Sequence, residues 1–248
     1  MDIKNISVVF AVFMILPLLF SCSADSGETG PAGTEGENTA VMSFRYNVNP
    51  TNDYYMAKDT WIMNVEPDYN FGGCDTLRVG VEPPLVSRSL LSFDINYITP
   101  STVAIKSAIL DIYVSVCSAA FYPTIRAYSV TKDWIEGTAD CLGSDATGGA
   151  AWNYYAGAVN PWDSVGGDYD STAISSGVTV TRTGKVSFSL DTSVVQNWLT
   201  DPSQNYGILL KADDESAGMV DPQSYIHFSS KEDTASLRPK LTIVYTIE

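Results

Sequence analysis

Apolar and polar positions alternate along most of this chain with a period of two. In Arg88–Ile95 the side chains of Ser89, Leu91, Phe93 and Ile95 share one face. Arg88, Leu90, Ser92 and Asp94 share the other, which is mostly polar. The pattern predicts a half-buried strand of an antiparallel sheet. The longest regular run, Ile105 to Val116, places Ala108, Leu110, Ile112, Val114 and Val116 on one face. Further strands are predicted at 43–48, 59–63, 77–79, 124–130, 186–190, 207–212, 225–230 and 241–247, separated by clusters of Gly, Pro, Asn and Asp. One helix is expected over Thr192–Leu199, capped by Asp191 or Thr192 and stopped before Asp201-Pro202. Many short strands with one short helix predict an all-β fold, a jelly-roll-type antiparallel β sandwich. The Gly-rich stretch from about 138 to 183 has few such runs, and loops of that length are functional or are ordered by something else.

Two segments precede this domain, which is expected to span 41–248. Residues 1–21 carry Lys4 and an apolar run from Ile6 to Phe20, too short for a membrane-spanning helix and suited to a signal-peptide core. Leu19-Phe20-Ser21-Cys22 resembles the bacterial lipobox, which implies cleavage before Cys22 and lipidation of that cysteine. Acyl chains contribute about 0.8 kcal/mol per buried CH₂, so several of them anchor a protein stably. Ser23 in the following position favours the outer membrane in a Gram-negative cell. Residues 22–40 contain four Gly-X-Y triplets, Gly27-Glu-Thr to Gly36-Glu-Asn, with a single proline among them. That is too little for a collagen triple helix and reads as a flexible acidic tether. The expected location is the cell surface, after export and lipid anchoring.

Charge narrows the range of partners. Fourteen Lys and Arg against 29 Asp and Glu leave a net charge of −15. Nucleic acid and anionic lipid surfaces both need basic patches and are excluded as partners. Candidate catalytic chemistry is sparse. The single histidine, His227, alternates with Ile226 and Phe228 and is expected to face solvent or a loop, with no nucleophile motif beside it. No Walker loop, dinucleotide glycine motif or zinc spacing is present. With Cys22 lipidated, Cys74, Cys117 and Cys141 remain for an oxidising compartment, enough for one disulfide and one thiol. Cys117–Cys141 is the nearest pair in sequence and the one expected, although spacing alone leaves the pairing open. Asp168 and Asp170, in Gly166-Gly-Asp-Tyr-Asp170, are the candidate ligands for a structural Ca²⁺, beside the alternative of plain solvated loops. No other cofactor is expected.

An ordered series of pieces carries a resemblance. It comprises Asp59-Thr-Trp-Ile, Asn70-Phe-Gly-Gly with Leu77-Arg-Val-Gly80, Arg88-Ser-Leu-Leu-Ser-Phe-Asp-Ile and Ile105-Lys-Ser-Ala-Ile-Leu-Asp-Ile-Tyr. Ala127-Tyr-Ser-Val-Thr131, Trp134-Ile-Glu-Gly and Trp152-Asn153 follow. Val195-Gln-Asn-Trp-Leu, Asn205-Tyr-Gly-Ile-Leu-Leu-Lys211, Phe228-Ser-Ser-Lys-Glu232 and Arg238-Pro-Lys-Leu-Thr-Ile-Val-Tyr245 complete it. Together they resemble the DNRLRE domain family, related to the repeats of disaggregatase and classed in part as carbohydrate-binding module family 96. The resemblance implies a jelly-roll sandwich outside the cell, in proteins that handle polysaccharide or adhere. The chain departs from it in an additional Ser43–Met56 segment and an enlarged loop after Trp152. Trp61, Trp134, Trp152 and Trp198 fit the frame and are expected in the core. Tyr154, Tyr155, Trp162 and Tyr169 lie in the enlarged loop, where they either pack it onto the sandwich or display flat faces to a sugar. The function expected is non-enzymatic binding of extracellular polysaccharide through those aromatics. One alternative is a structural subunit that self-assembles with neighbouring surface proteins, Ser43–Met56 donating a strand. A more distant one is a polysaccharide lyase or hydrolase, which needs two carboxylates placed across a cleft.

Overall fold

Alternating β-branched and aromatic residues leave this chain few options besides pleated strands, and the computed structural model, which describes residues 38–99, 103–119, 122–145, 148–216 and 224–247, is built of them. The first half contributes β1 (Thr39–Phe44), β2 (Ala57–Met63), β3 (Tyr69–Asn70), β4 (Thr76–Glu82), β5 (Leu85–Phe93), β6 (Val103–Ala119) and β7 (Thr124–Val130). The second contributes β8 (Ser144–Asp145), β9 (Tyr169–Ala173), β10 (Val178–Thr179), β11 (Gly184–Leu190), helix α1 (Thr192–Thr200), β12 (Ile208–Ala212), β13 (Ser224–Ser229) and β14 (Lys240–Ile247). All their pairings are antiparallel, and twelve strands join one curled sheet that closes as an all-β, jelly-roll-like sandwich. The signal segment, Cys22 and the tether up to residue 37 lie outside the described residues. β1 begins at Thr39, two residues ahead of the expected domain start.

Two long strands let one sheet serve both layers by changing partner along their length. β6 pairs through Val103–Asp111 with β14 and through Val114–Ala119 with β13, while Ala108–Val114 pairs with β11. β5 pairs through Leu85–Ser87 with β4 and through Ser89–Leu91 with β12, while Ser87–Phe93 pairs with β2. Gly80, at φ +125°, stands where β4 runs tightly against β13; a Cβ there would lie 2.2 Å from the Ser224 carbonyl oxygen. The front segment is built in: β1 pairs with β14 over its whole length, Thr39–Phe44 against Thr246–Leu241. Tyr54, farther along the same segment, is fully buried and donates to the Asp94 carbonyl at 3.1 Å.

The main core lies between the layers and takes its side chains from the alternating positions of β2, β4, β5, β6, β11, β12, β13 and β14. Ala108, Leu110, Ile112 and Val114 all point into it, as their spacing predicts. Val116 does not, and is 41 % exposed. Phe228 opposes Val114 while His227 opposes Val116, so Ser115 is the extra residue of a bulge. A bulge reverses the alternation, which sends Val116 outward and turns Cys117 towards the core. α1 forms where expected. Asp191 caps it, accepting from the Ser193 amide at 2.8 Å, and Val195, Trp198 and Leu199 are its buried face.

The strand Arg88–Ile95 departs from expectation. Its second face is covered too: Leu90 is fully buried and Ser92 nearly so. A smaller core of Ile62, Leu90, Val130, Trp134, Ala150, Trp162 and Leu209 sits on that outer face, and its lid is the loop that follows β7.

Candidate functional site

The enlarged loop is a folded cover for the second sheet face, and its order comes from hydrogen bonds rather than strands. Backbone bonds tie Ala150 to Ile135, Ile135 to Tyr155, Tyr155 to Asn160 and Trp162 to Asn153. Asn70 is the anchor. Its Nδ2 donates to the carbonyls of Glu136 and Ala150 at 2.7 and 2.9 Å, and its Oδ1 accepts from the amides of Gly72 and Ala139 at 3.1 and 3.3 Å. A side-chain amide offers two donors and one two-lone-pair acceptor, so this buried group is fully used. Arg88 is a second strut. It makes a two-pronged ion pair with Glu215 at 2.7 and 2.9 Å, donates to the Gly166 carbonyl at 2.7 Å, and lies over the Trp152 ring. A residue of the presumed polar face thereby fastens the loop to the strand.

Of the four loop aromatics expected as a sugar platform, Trp162 is buried and its indole donates to the Ala151 carbonyl at 2.9 Å. It cannot offer a face to a ligand. Tyr155 packs against it, and Tyr169 packs edge-on against Tyr128, both half-buried over the small core. Tyr154 is half-buried in a β-bridge with Pro161. These aromatics pack the loop onto the sandwich, which is the first of the two roles weighed for them. Trp61, Trp134 and Trp198 are buried as expected, and Trp152 is half-buried beneath Arg88.

Asp168 is also drawn into loop closure. Its two oxygens accept from the amides of Asp163 and Ser164 at 2.9 and 2.8 Å, and Lys132 approaches to 3.2 Å. Asp170 accepts from the Thr172 amide at 2.8 Å in an exposed turn. The expected Cys117–Cys141 bridge is not the one formed: Cys141 is bonded to Cys74, with Cα atoms 4.5 Å apart, and Cys117 is a free thiol. Nearness in sequence misled here. Pairing of β3 with β8 and the bond from Gly73 to the Ala139 carbonyl at 2.7 Å draw residue 141 to the start of β4, whereas Cys117 rests near the Val180 carbonyl. His227, expected to face solvent or a loop, is half-buried: Arg78 opposes it on β4 and Tyr225 lies 5.3 Å away. Its Nε2 is buried without a partner among the described residues. Burial and the Arg78 charge hold its pKa below the ordinary imidazole value.

An open groove of about 600 Å³ runs between α1, the end of β7 and β9. Thr131, Asp170, Asn197, Asp201 and Gln204 supply hydroxyl, carboxylate and amide groups to it, and Tyr206, half-buried and packed against the smaller core, is part of its lining. Asp191 and Asp201 each spend one oxygen on capping their own turns, so the rim is held in place before any ligand arrives. Nothing in the alternation pattern flags this groove, because helix and strand contribute to it from distant parts of the chain.

A second polar cluster lies where β2, the Trp134-Ile-Glu-Gly137 turn and the segment after β13 meet. Asp59, Glu136 and Glu232 converge there around Lys231. Burial, with the neighbouring carboxylates, raises the pKa of Asp59 well above the usual carboxylate range. Burial likewise pushes Glu136 up to about 7.

Known proteins give one point of comparison. Residues 50–140 match the sequence model of carbohydrate-binding module family 96. No curated protein matches the chain. The family is one of binding modules, which supports carbohydrate binding as the coarse function. Across β2 to β7 and the turn that holds Glu136, the chain is similar to carbohydrate-binding module family 96, the family its ordered motifs resemble.

Proposed function

We propose that this protein is a non-enzymatic, lipid-anchored surface protein that binds a neutral extracellular polysaccharide in the groove between α1, β7 and β9. The observation that carries the proposal is the character of that groove. Sugars are held by convergent hydroxyl, amide and carboxylate hydrogen bonds, and this lining provides each of these groups, with Tyr206 beside them. The likeness to carbohydrate-binding module family 96 supports the same reading. Three aspartates on the lining and a net charge of −15 disfavour polyanionic chains, which leaves neutral glycans. Strand donation by Ser43–Met56 is less favoured, since Ser43 and Phe44 already pair with Thr242 and Leu241 of β14 and Tyr54 is fully buried.

Glycan arrays and affinity electrophoresis of the purified protein test the proposal. Neutral polysaccharides are expected to retard the protein, and retardation by none of them would sink it.

A further inference from the structure

Three carboxylates from three separate parts of the chain meet beside β2. Asp59 belongs to β2 itself, Glu136 to the turn after β7, and Glu232 to the segment after β13. One carboxylate oxygen from each lies within 4.8 Å of the other two. Asp59 is only 3 % exposed. Its Oδ2 accepts from the Lys231 amide at 2.8 Å, while its Oδ1 is buried with no hydrogen-bond partner among the described residues. Among the described residues a single ammonium faces the trio: Lys231 Nζ is 3.3 Å from Glu136 and bonded to Glu232. Fully ionised, as a bound cation would hold them, the three carboxylates outnumber that one ammonium by two charges. Buried carboxylates are stable when paired, protonated or bound to a metal, and an orphaned carboxylate oxygen among others is an unused ligand.

We infer that Asp59, Glu136 and Glu232 form a calcium site, with Lys231 as a built-in cation that calcium displaces. The donor set is oxygen alone, with no imidazole or thiolate, which selects a hard cation. Ca²⁺ accepts six to eight oxygens in flexible geometry, so three carboxylates can be completed by water. The Glu136 and Glu232 side chains are 20 % and 24 % exposed, which leaves the cluster open to solvent on that side. Outer bonds already orient the ligands: the Asp59 amide donates to Glu136 at 2.6 Å, and the Ser230 hydroxyl donates to Glu232 at 3.0 Å. The Lys231 ammonium already lies 4.6 Å from the centre of the Tyr46 ring, a contact that does not depend on the carboxylates. The site would tie β2, the loop turn and the β13 exit together at the base of the loop cover.

Thermal unfolding and calorimetric titration of the purified full chain, stripped with EDTA and then given CaCl₂ or MgCl₂, test the inference. Calcium is expected to raise the melting temperature progressively with concentration, and magnesium to do so less. Asp59→Asn keeps the shape and an oxygen for the Lys231 amide, and should weaken calcium binding roughly tenfold or more. The more exposed Glu232→Gln guards against a folding defect and should weaken it as well. Lys231→Met removes the competing ammonium and should tighten binding. Absence of a calcium response in both the wild type and Lys231→Met would overturn the site. So would a response left unchanged by both Asp59→Asn and Glu232→Gln, which would place the ion elsewhere.

Discussion

Single side chains do much of the organising in this molecule, and Asn70 does the most. Four hydrogen bonds from one buried amide join three separate backbone segments, and Gly137 and Gly149 press so closely that a Cβ on either would come within 2.2 Å of it. Asn70→Ala leaves two carbonyls and two amides without their partner. Each unsatisfied buried group costs about 1–3 kcal/mol, and partial rescue by water should bring the total loss to roughly 3 kcal/mol. Urea denaturation would show this as a lower midpoint with an unchanged slope. His227 makes a prediction in pH. Its folded pKa is depressed, by burial first and by Arg78 next, with Glu82 opposing them. As pH falls below about 6.5 the unfolded chain takes up a proton before the folded one does, so stability from this group is present at neutral pH and is lost on acidification. Comparing His227→Gln with the wild type between pH 7.5 and 5 should show the variant losing less stability over that interval. An equal loss in both would remove His227 from the pH response.

At the scale of elements, alternation revealed the strands and the Asp191-capped helix because both depend on neighbours a few residues away. Features set by distant partners were not legible in the same way. The second face of β5 reads as polar in Arg88, Ser92 and Asp94, yet Leu90 is buried there because residues from Trp134 to Trp162 fold over it. Val116 obeys a perfect alternation on paper and breaks it across the Ser115 bulge. The disulfide follows the β3–β8 pairing, two residues on each side, which no periodicity shows. The groove likewise needs α1 and β9 to be brought together. Two measurements follow for the loop cover. Trp162→Ala removes one of the two tryptophans buried in the small core and should cost about 3–5 kcal/mol. A non-reducing digest should yield the Cys74–Cys141 peptide pair and an alkylatable Cys117, and removing that bridge should cost about 2–4 kcal/mol.

In the molecule as a whole, the scaffold and the proposed contact surface are separate. The stretch similar to the carbohydrate-binding family, residues 50–140, supplies five of the twelve strands of the large sheet and the base of the loop. The loop aromatics pack the cover onto the sandwich, and the polar groove beside α1 is the surface we propose for a glycan. Asn197 and Gln204 are exposed on its rim, so replacing both with alanine should leave folding within about 0.5 kcal/mol of wild type each. The most direct measurement is affinity electrophoresis of the wild type and the Asn197→Ala/Gln204→Ala double variant through gels containing neutral polysaccharide. Retardation of the wild type is expected, together with its loss, by tenfold or more in apparent affinity (about 1.4 kcal/mol), in a variant with unchanged melting temperature. Equal retardation of the two proteins, or none of either, would contradict the proposal.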